Sequence, residues 1–168
     1  MARKYHMVLD DYPEHAKALG QMLGHWGELE ASLMRLTMFL LGTDYDQKAF
    51  FVYKEFYNLR SKIRLLKRLN RWFPGDIPIQ TEIDNLLSKA ESHNDTRNSF
   101  VHARWVSKAG YKETSNELMR ISLGSGKLHQ PNIRPKYFTP QDIQDFGEEI
   151  AILSQSFEEL LDRVSADS

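Results

Sequence analysis

The sequence predicts a mainly α-helical protein: four to five long helices in an antiparallel bundle, with a small β-hairpin inserted between the third and last long helices. Three observations carry this expectation. Apolar residues recur at three- and four-residue spacing through most of the chain. The helical segments have short connections, which favours antiparallel neighbours. After His102 the pattern switches to short strand-like runs, Ala103–Ser107 and Leu118–Leu123, before helical spacing resumes at Thr139. At 168 residues the chain is long enough for one domain with a real core, spanning residues 1–168 with the insertion at about 103–138.

Residues 1–12 are polar. Pro13 suits the first turn of a helix, and Leu19, Met22/Leu23, Trp26, Leu29, Leu33, Leu36 and Leu40 continue it to the stop at Gly42. Gly20, Gly24 and Gly27 are expected to interrupt or kink it. Asp44 or Asp46 can cap a second helix running to about Trp72, with Val52, Phe56, Leu59, Ile63 and Leu66 as its apolar stripe. Phe73–Pro78 is a turn cluster. The third helix carries Ile79, Ile83, Leu86, Leu87 and Ala90, and the same spacing continues through His93/Asn94 to Arg97. Residues 124–135 read as loop. Thr139 followed by Pro140 is a helix start, and Ile143, Phe146, Ile150, Leu153, Phe157, Leu160 and Leu161 line the last helix.

Composition narrows the function. No apolar run reaches the roughly 18 residues of a membrane span, and the first residues lead into no apolar segment of a secretory signal. The absence of Cys removes disulfides, thiolate metal sites and a Cys nucleophile, and it fits a cytoplasmic location. A net charge of −1 gives no strong global pull on nucleic acid. The charge is uneven, however: Arg60–Arg71 holds six basic residues and no acidic one, whereas Thr139 to the end holds eight acidic residues and one basic. Along the second helix a stripe begins aromatic (Phe50, Tyr53, Tyr57) and continues basic (Arg60, Arg64, Lys67, Arg71). One reading is an RNA-facing surface, with rings for stacking and cations for phosphates. The other is an aromatic half packed in the core and a solvated basic half.

The stretch Arg97-Asn98-Ser99-Phe100-Val101-His102 concentrates the chemistry. Arg97 is in register with the buried face of its helix, where a charge needs a partner or a polar cavity. His102 is the residue type that exchanges a proton near neutrality. Five helical steps place the two about 140° apart on a straight helix. They converge if the helix ends or bends near Ser99–Val101, if Arg97 wraps round, or if a second chain supplies the other half. A structural Arg paired with a carboxylate and a helix-terminal His is the plainer alternative. Glu30 lies near the apolar stripe of the first helix, where a carboxylate commonly tilts to solvent. His93, Asp95 and His102 follow no familiar metal-ligand spacing.

The Arg97–His102 hexapeptide, late in the third helix of a bundle, resembles the Arg-x4-His motif of the HEPN superfamily. Asn98 matches the polar residue that often follows the Arg. Gly24-His25-Trp26-Gly27-Glu28-Leu29-Glu30 resembles a first-helix segment of related bacterial proteins, in which an acidic residue faces the motif. The resemblance covers roughly residues 14–102 and 139–163. It implies an endoribonuclease that needs no metal or cofactor and works as a homodimer with two motifs in one cleft. His102 would be general acid or base, Arg97 would hold the scissile phosphate, and Asn98 would orient His102 from position i−4. Glu30, or Glu28, would pair with Arg97 or hold His102. It also implies a toxin or phage-defence effector held in check by an antitoxin protein, for example a nucleotidyltransferase. Some members of the superfamily are noncatalytic, so a helical dimer binding a protein, nucleotide or RNA ligand is the alternative.

Overall fold

The computed structural model describes residues 8–42, 47–73, 76–102, 104–106, 118–121 and 136–166. After a single 3-10 turn at Val8–Asp11 come five α-helices: α1 (Pro13–Leu40), α2 (Gln47–Lys54), α3 (Leu59–Trp72), α4 (Ile77–Val101) and α5 (Pro140–Ala166). Three short strands, β1 (Arg104–Val106), β2 (Leu118–Ile121) and β3 (Lys136–Phe138), lie between α4 and α5. The protein is thus mainly α, with its β insertion where the sequence predicts it. No helix among the described residues is long and apolar enough to cross a membrane.

The chain forms two compact units, one of residues Met1–Gly24 and Thr96–Glu148, the other of His25–Asp95 and Glu149–Ser168. Helices α1, α4 and α5 each contribute to both.

The second unit is a helical bundle whose core holds most of the predicted periodic positions; Val52, expected in the apolar stripe of the second helix, is exposed instead. Leu29, Leu33 and Leu36 of α1, Ile63 and Leu66 of α3, Ile83 and Leu87 of α4, and Ile150 and Phe157 of α5 are all buried. Each such side chain contributes roughly 1.5–3 kcal/mol when taken fully from water. Two polar features sit within this core. The Ser32 hydroxyl bonds the Glu28 carbonyl at 3.1 Å and meets the Ser154 hydroxyl of α5 at 3.0 Å. Asn70 Nδ2 donates to the Gln80 carbonyl at 2.8 Å and to Asp84 Oδ1 at 3.0 Å, while Gln80 Nε2 donates to the Phe73 carbonyl at 2.8 Å, joining the end of α3 to the start of α4. Arg35 pairs with Glu158, and Arg163 with Glu82.

The helices depart from expectation in two places. The glycines do not interrupt α1, which is continuous from Pro13 to Leu40. Gly20, Gly24 and Gly27 all lie on its exposed face, so their cost of about 1 kcal/mol each relative to Ala is outweighed by the buried stripe. Gly42 stops α1 as expected, with φ of 65° and its N–H bonded to the Phe39 carbonyl. The predicted second helix is two helices, broken at 55–58. Asn58 adopts extended φ/ψ and its Oδ1 accepts from the Ser61 N–H at 2.8 Å, so it starts α3 as an N-cap. The proposed caps Asp44 and Asp46 lie outside the described residues.

The first unit is built around aromatic rings. Phe100 of α4 stacks on Trp105 of β1, with ring centroids 6.1 Å apart, and meets Phe138 of β3 at 4.8 Å and Phe146 of α5 at 5.6 Å. Such pairs add about 0.5–1.5 kcal/mol each beyond burial. The strands form an antiparallel sheet of order β1-β2-β3, with Trp105 opposite Arg120 and Met119 opposite Tyr137. The hairpin matches the expectation. The third strand does not: the sequence had suggested no element at Lys136–Phe138. His15, buried on α1, is 3.0 Å through Nε2 from the Phe138 carbonyl. Immediately after β3, Thr139 caps α5 as predicted. Its N–H and hydroxyl both donate to Asp142 Oδ2 at 2.7 Å, and its Oγ1 accepts from the Asp142 N–H. These bonds hold the Asp142 carboxyl below the usual carboxylate range.

Candidate functional site

The end of α4 is oriented by Phe100. That ring is 2% exposed at the centre of the aromatic cluster, so it fixes the rotation of the last helical turn. Arg97, three residues earlier, lies about 60° from Phe100 around the helix, while His102 lies about 160° away. Arg97 is accordingly half-buried and His102 exposed. The helix does not end early to bring them together. It runs to Val101, and the His102 N–H still bonds the Asn98 carbonyl at 3.0 Å in the helical i to i−4 pattern.

The side-chain contact that this turn does show runs through Asn98. Its position is about 40° from that of His102 around the helix. Its Oδ1 accepts from Arg97 Nη1 at 3.0 Å. The guanidinium is therefore tied to the next residue of its own helix. The expected partner of the Asn98 side chain was His102; the bond found is to Arg97. The turn thus presents a half-buried guanidinium, with Nε enclosed and Nη1 bonded to Asn98, and an exposed imidazole one turn further on.

The other predicted site residues belong to the second unit. Glu30 is half-buried, and its Oε1 accepts from Trp26 Nε1 at 3.1 Å. Its backbone carbonyl accepts from the Tyr53 hydroxyl at 3.2 Å. Burial, with a smaller contribution from Glu30, pushes the Tyr53 phenol well above its ordinary pKa. Glu28 is exposed. Of the aromatic stripe, Tyr53 is buried, Phe50 is 40% exposed and Tyr57 is 97% exposed, so the stripe does not persist as one surface through the break at 55–58.

The basic stripe also divides. Arg60 Nη2 pairs with Asp95 at 3.2 Å and Lys67 Nζ with Glu91 at 3.3 Å, both across to α4. Arg64 and Arg71 are exposed. So is Arg68, which the spacing of the predicted stripe passed over. A search for the centre of the polar face, opposite Leu59, Ile63 and Leu66, would have found it.

Among the described residues no group of three or more His, Asp or Glu is placed to hold a metal ion. Comparison with protein-family models, with curated proteins and with solved structures finds no match to this chain.

Proposed function

We propose that this chain is a metal-independent endoribonuclease of the HEPN type, acting as a homodimer, with Arg97 and His102 as its catalytic residues and Asn98 positioning Arg97. The observation that supports the reading is Asn98, whose side chain bonds the Arg97 guanidinium and whose carbonyl bonds the N–H of an exposed His102, so that the three share one helical turn. In the reaction the ribose 2′-OH attacks the adjacent phosphorus and the 5′-oxygen leaves, giving a 2′,3′-cyclic phosphate. His102 takes the proton from the 2′-OH or gives one to the leaving oxygen. Arg97 offsets the charge that develops on the non-bridging oxygens. Glu30 is kept as a supporting residue in this reading; its bonds are to Trp26 and Tyr53.

Association is assigned to α2, where Phe50, Phe51 and Val52 face solvent and Phe51 is 61% exposed. Such a face on a short helix suits a second copy of the chain. A cytoplasmic toxin or defence effector, restrained by an antitoxin protein, is the role this activity would serve.

The test is cleavage of RNA in EDTA by wild-type, Arg97→Ala and His102→Ala proteins, with product ends identified. We expect a loss of about 10²–10⁴-fold for His102→Ala and cyclic phosphate ends. Equal cleavage by all three proteins would sink the reading. No cleavage of any RNA by a folded dimer would favour a noncatalytic helical dimer that binds a ligand.

A further inference from the structure

The solvent face of α3 carries three arginines and a tryptophan that its packing does not use. Leu59, Ile63, Leu66 and Asn70 are its buried positions. Arg68 lies opposite them, with Arg64 about 40° to one side and Trp72 about 40° to the other, and Arg71 next to Arg64. No acidic residue occurs between Arg60 and Arg71. Glu91 and Asp95 engage Arg60 and Lys67 at one edge of the face. Arg64, Arg68 and Arg71 are exposed, and among the described residues none of them takes part in an ion pair. Trp72 is 88% exposed, whereas Trp26 and Trp105 are 4% and 9% exposed. A Trp left in water beside three arginines gives up the burial that normally stabilises so large a ring.

We propose that Arg64, Arg68, Arg71 and Trp72 form a binding track for a single strand of RNA, with the guanidiniums on successive phosphates and a base stacked on the Trp72 indole. Charge complementarity selects a polyanion. The indole selects among polyanions, because a nucleobase offers a flat π-face and an acidic peptide does not. A duplex keeps its bases stacked on one another, so an exposed ring favours an unpaired strand. The arginines suit phosphate better than lysines would, since each can bond two oxygens at once. This deepens the ribonuclease reading by naming a surface of α3 that would bind its substrate class. It rests on that reading for RNA as the strand.

The test uses the full chain and a 2′-O-methyl oligouridylate, which binds but cannot be cut because its nucleophile is blocked. Trp72 is the accessible tryptophan of the three, so its emission reports directly on the track. The oligonucleotide is expected to quench that emission and to protect it from iodide. Trp72→Leu, at a site that contributes little to the core, should weaken binding by about five- to a hundredfold, read by anisotropy. The double variant R64Q/R68Q should reduce the slope of log affinity against log salt by about 1.4, at roughly 0.7 per phosphate contact on a single strand. Unchanged affinity in both variants would overturn the proposal. So would polyglutamate that competes equally, charge for charge. Binding through Trp72 without any cleavage of unmodified RNA would remove the ribonuclease reading alone. Cleavage by the Trp72 and Arg variants at unchanged KM would remove this proposal alone.

Discussion

Asn98 Oδ1 accepts from the Arg97 guanidinium at 3.0 Å, a bond between sequence neighbours that spacing alone does not foretell. The angular separation of Arg97 and His102 could be read from helical periodicity, as could the inward register of Arg97. The direction of a side chain that crosses between faces could not, because periodicity places Cβ atoms and not guanidiniums. Asn98→Ala is therefore expected to lower kcat by on the order of tenfold to a hundredfold while KM changes less, since a misplaced phosphate ligand costs transition-state stabilisation. Steady-state kinetics on a defined RNA measure that split. A second prediction concerns Tyr53, whose folded-state pKa is raised by burial and by Glu30. The unfolded chain then releases the phenolic proton first, at about pH 10. The stabilisation is fully present below that pH and is lost as pH rises toward the folded value. Urea unfolding between pH 8 and 11 should show a falling alkaline limb that Tyr53→Phe flattens.

At the scale of elements, the long helices were legible and their interruptions were not. The stripe Val52, Phe56, Leu59, Ile63 keeps helical spacing across the break at 55–58, where neither Pro nor Gly marks it. Only the local cap of Asn58 onto Ser61 does, and an Asn inside an apolar period is weak evidence by itself. Asn58→Ala should lower stability by about 1 kcal/mol, seen as a shifted denaturation midpoint at unchanged slope. The glycines of α1 mislead in the opposite direction. Each has open space where a Cβ would stand. Gly20→Ala and Gly27→Ala should each stabilise by about 0.5–1 kcal/mol, by restricting the unfolded chain and favouring the helix. β3 escaped notice because three residues are too few to show alternation. It is set instead by its pairing to β2 and by Phe138 against Phe100 and Trp105.

For the whole molecule, the proposed dimer links the apolar face of α2 to activity. Phe51→Glu removes apolar surface from a site that is already exposed, so the fold should be retained while sedimentation shifts from dimer to monomer. Ribonuclease activity should fall with it, and wild-type specific activity should decline on dilution through the dissociation constant. A monomeric wild type at micromolar concentration would count against the shared cleft. The bundle itself was readable from composition and period because core burial follows pattern. The division of the basic stripe was not, because it depends on which carboxylates α4 presents to Arg60 and Lys67.

The Ser32–Ser154 contact has a consequence for how α1 and α5 find their alignment. The two hydroxyls meet inside the core, where each needs a partner, and Ser32 is also within reach of the Glu28 carbonyl. Sliding either helix by one turn would keep apolar side chains against apolar ones but separate the two hydroxyls inside the core. The pair thus acts as a vernier mark that penalises near-miss alignments which the apolar residues alone would tolerate.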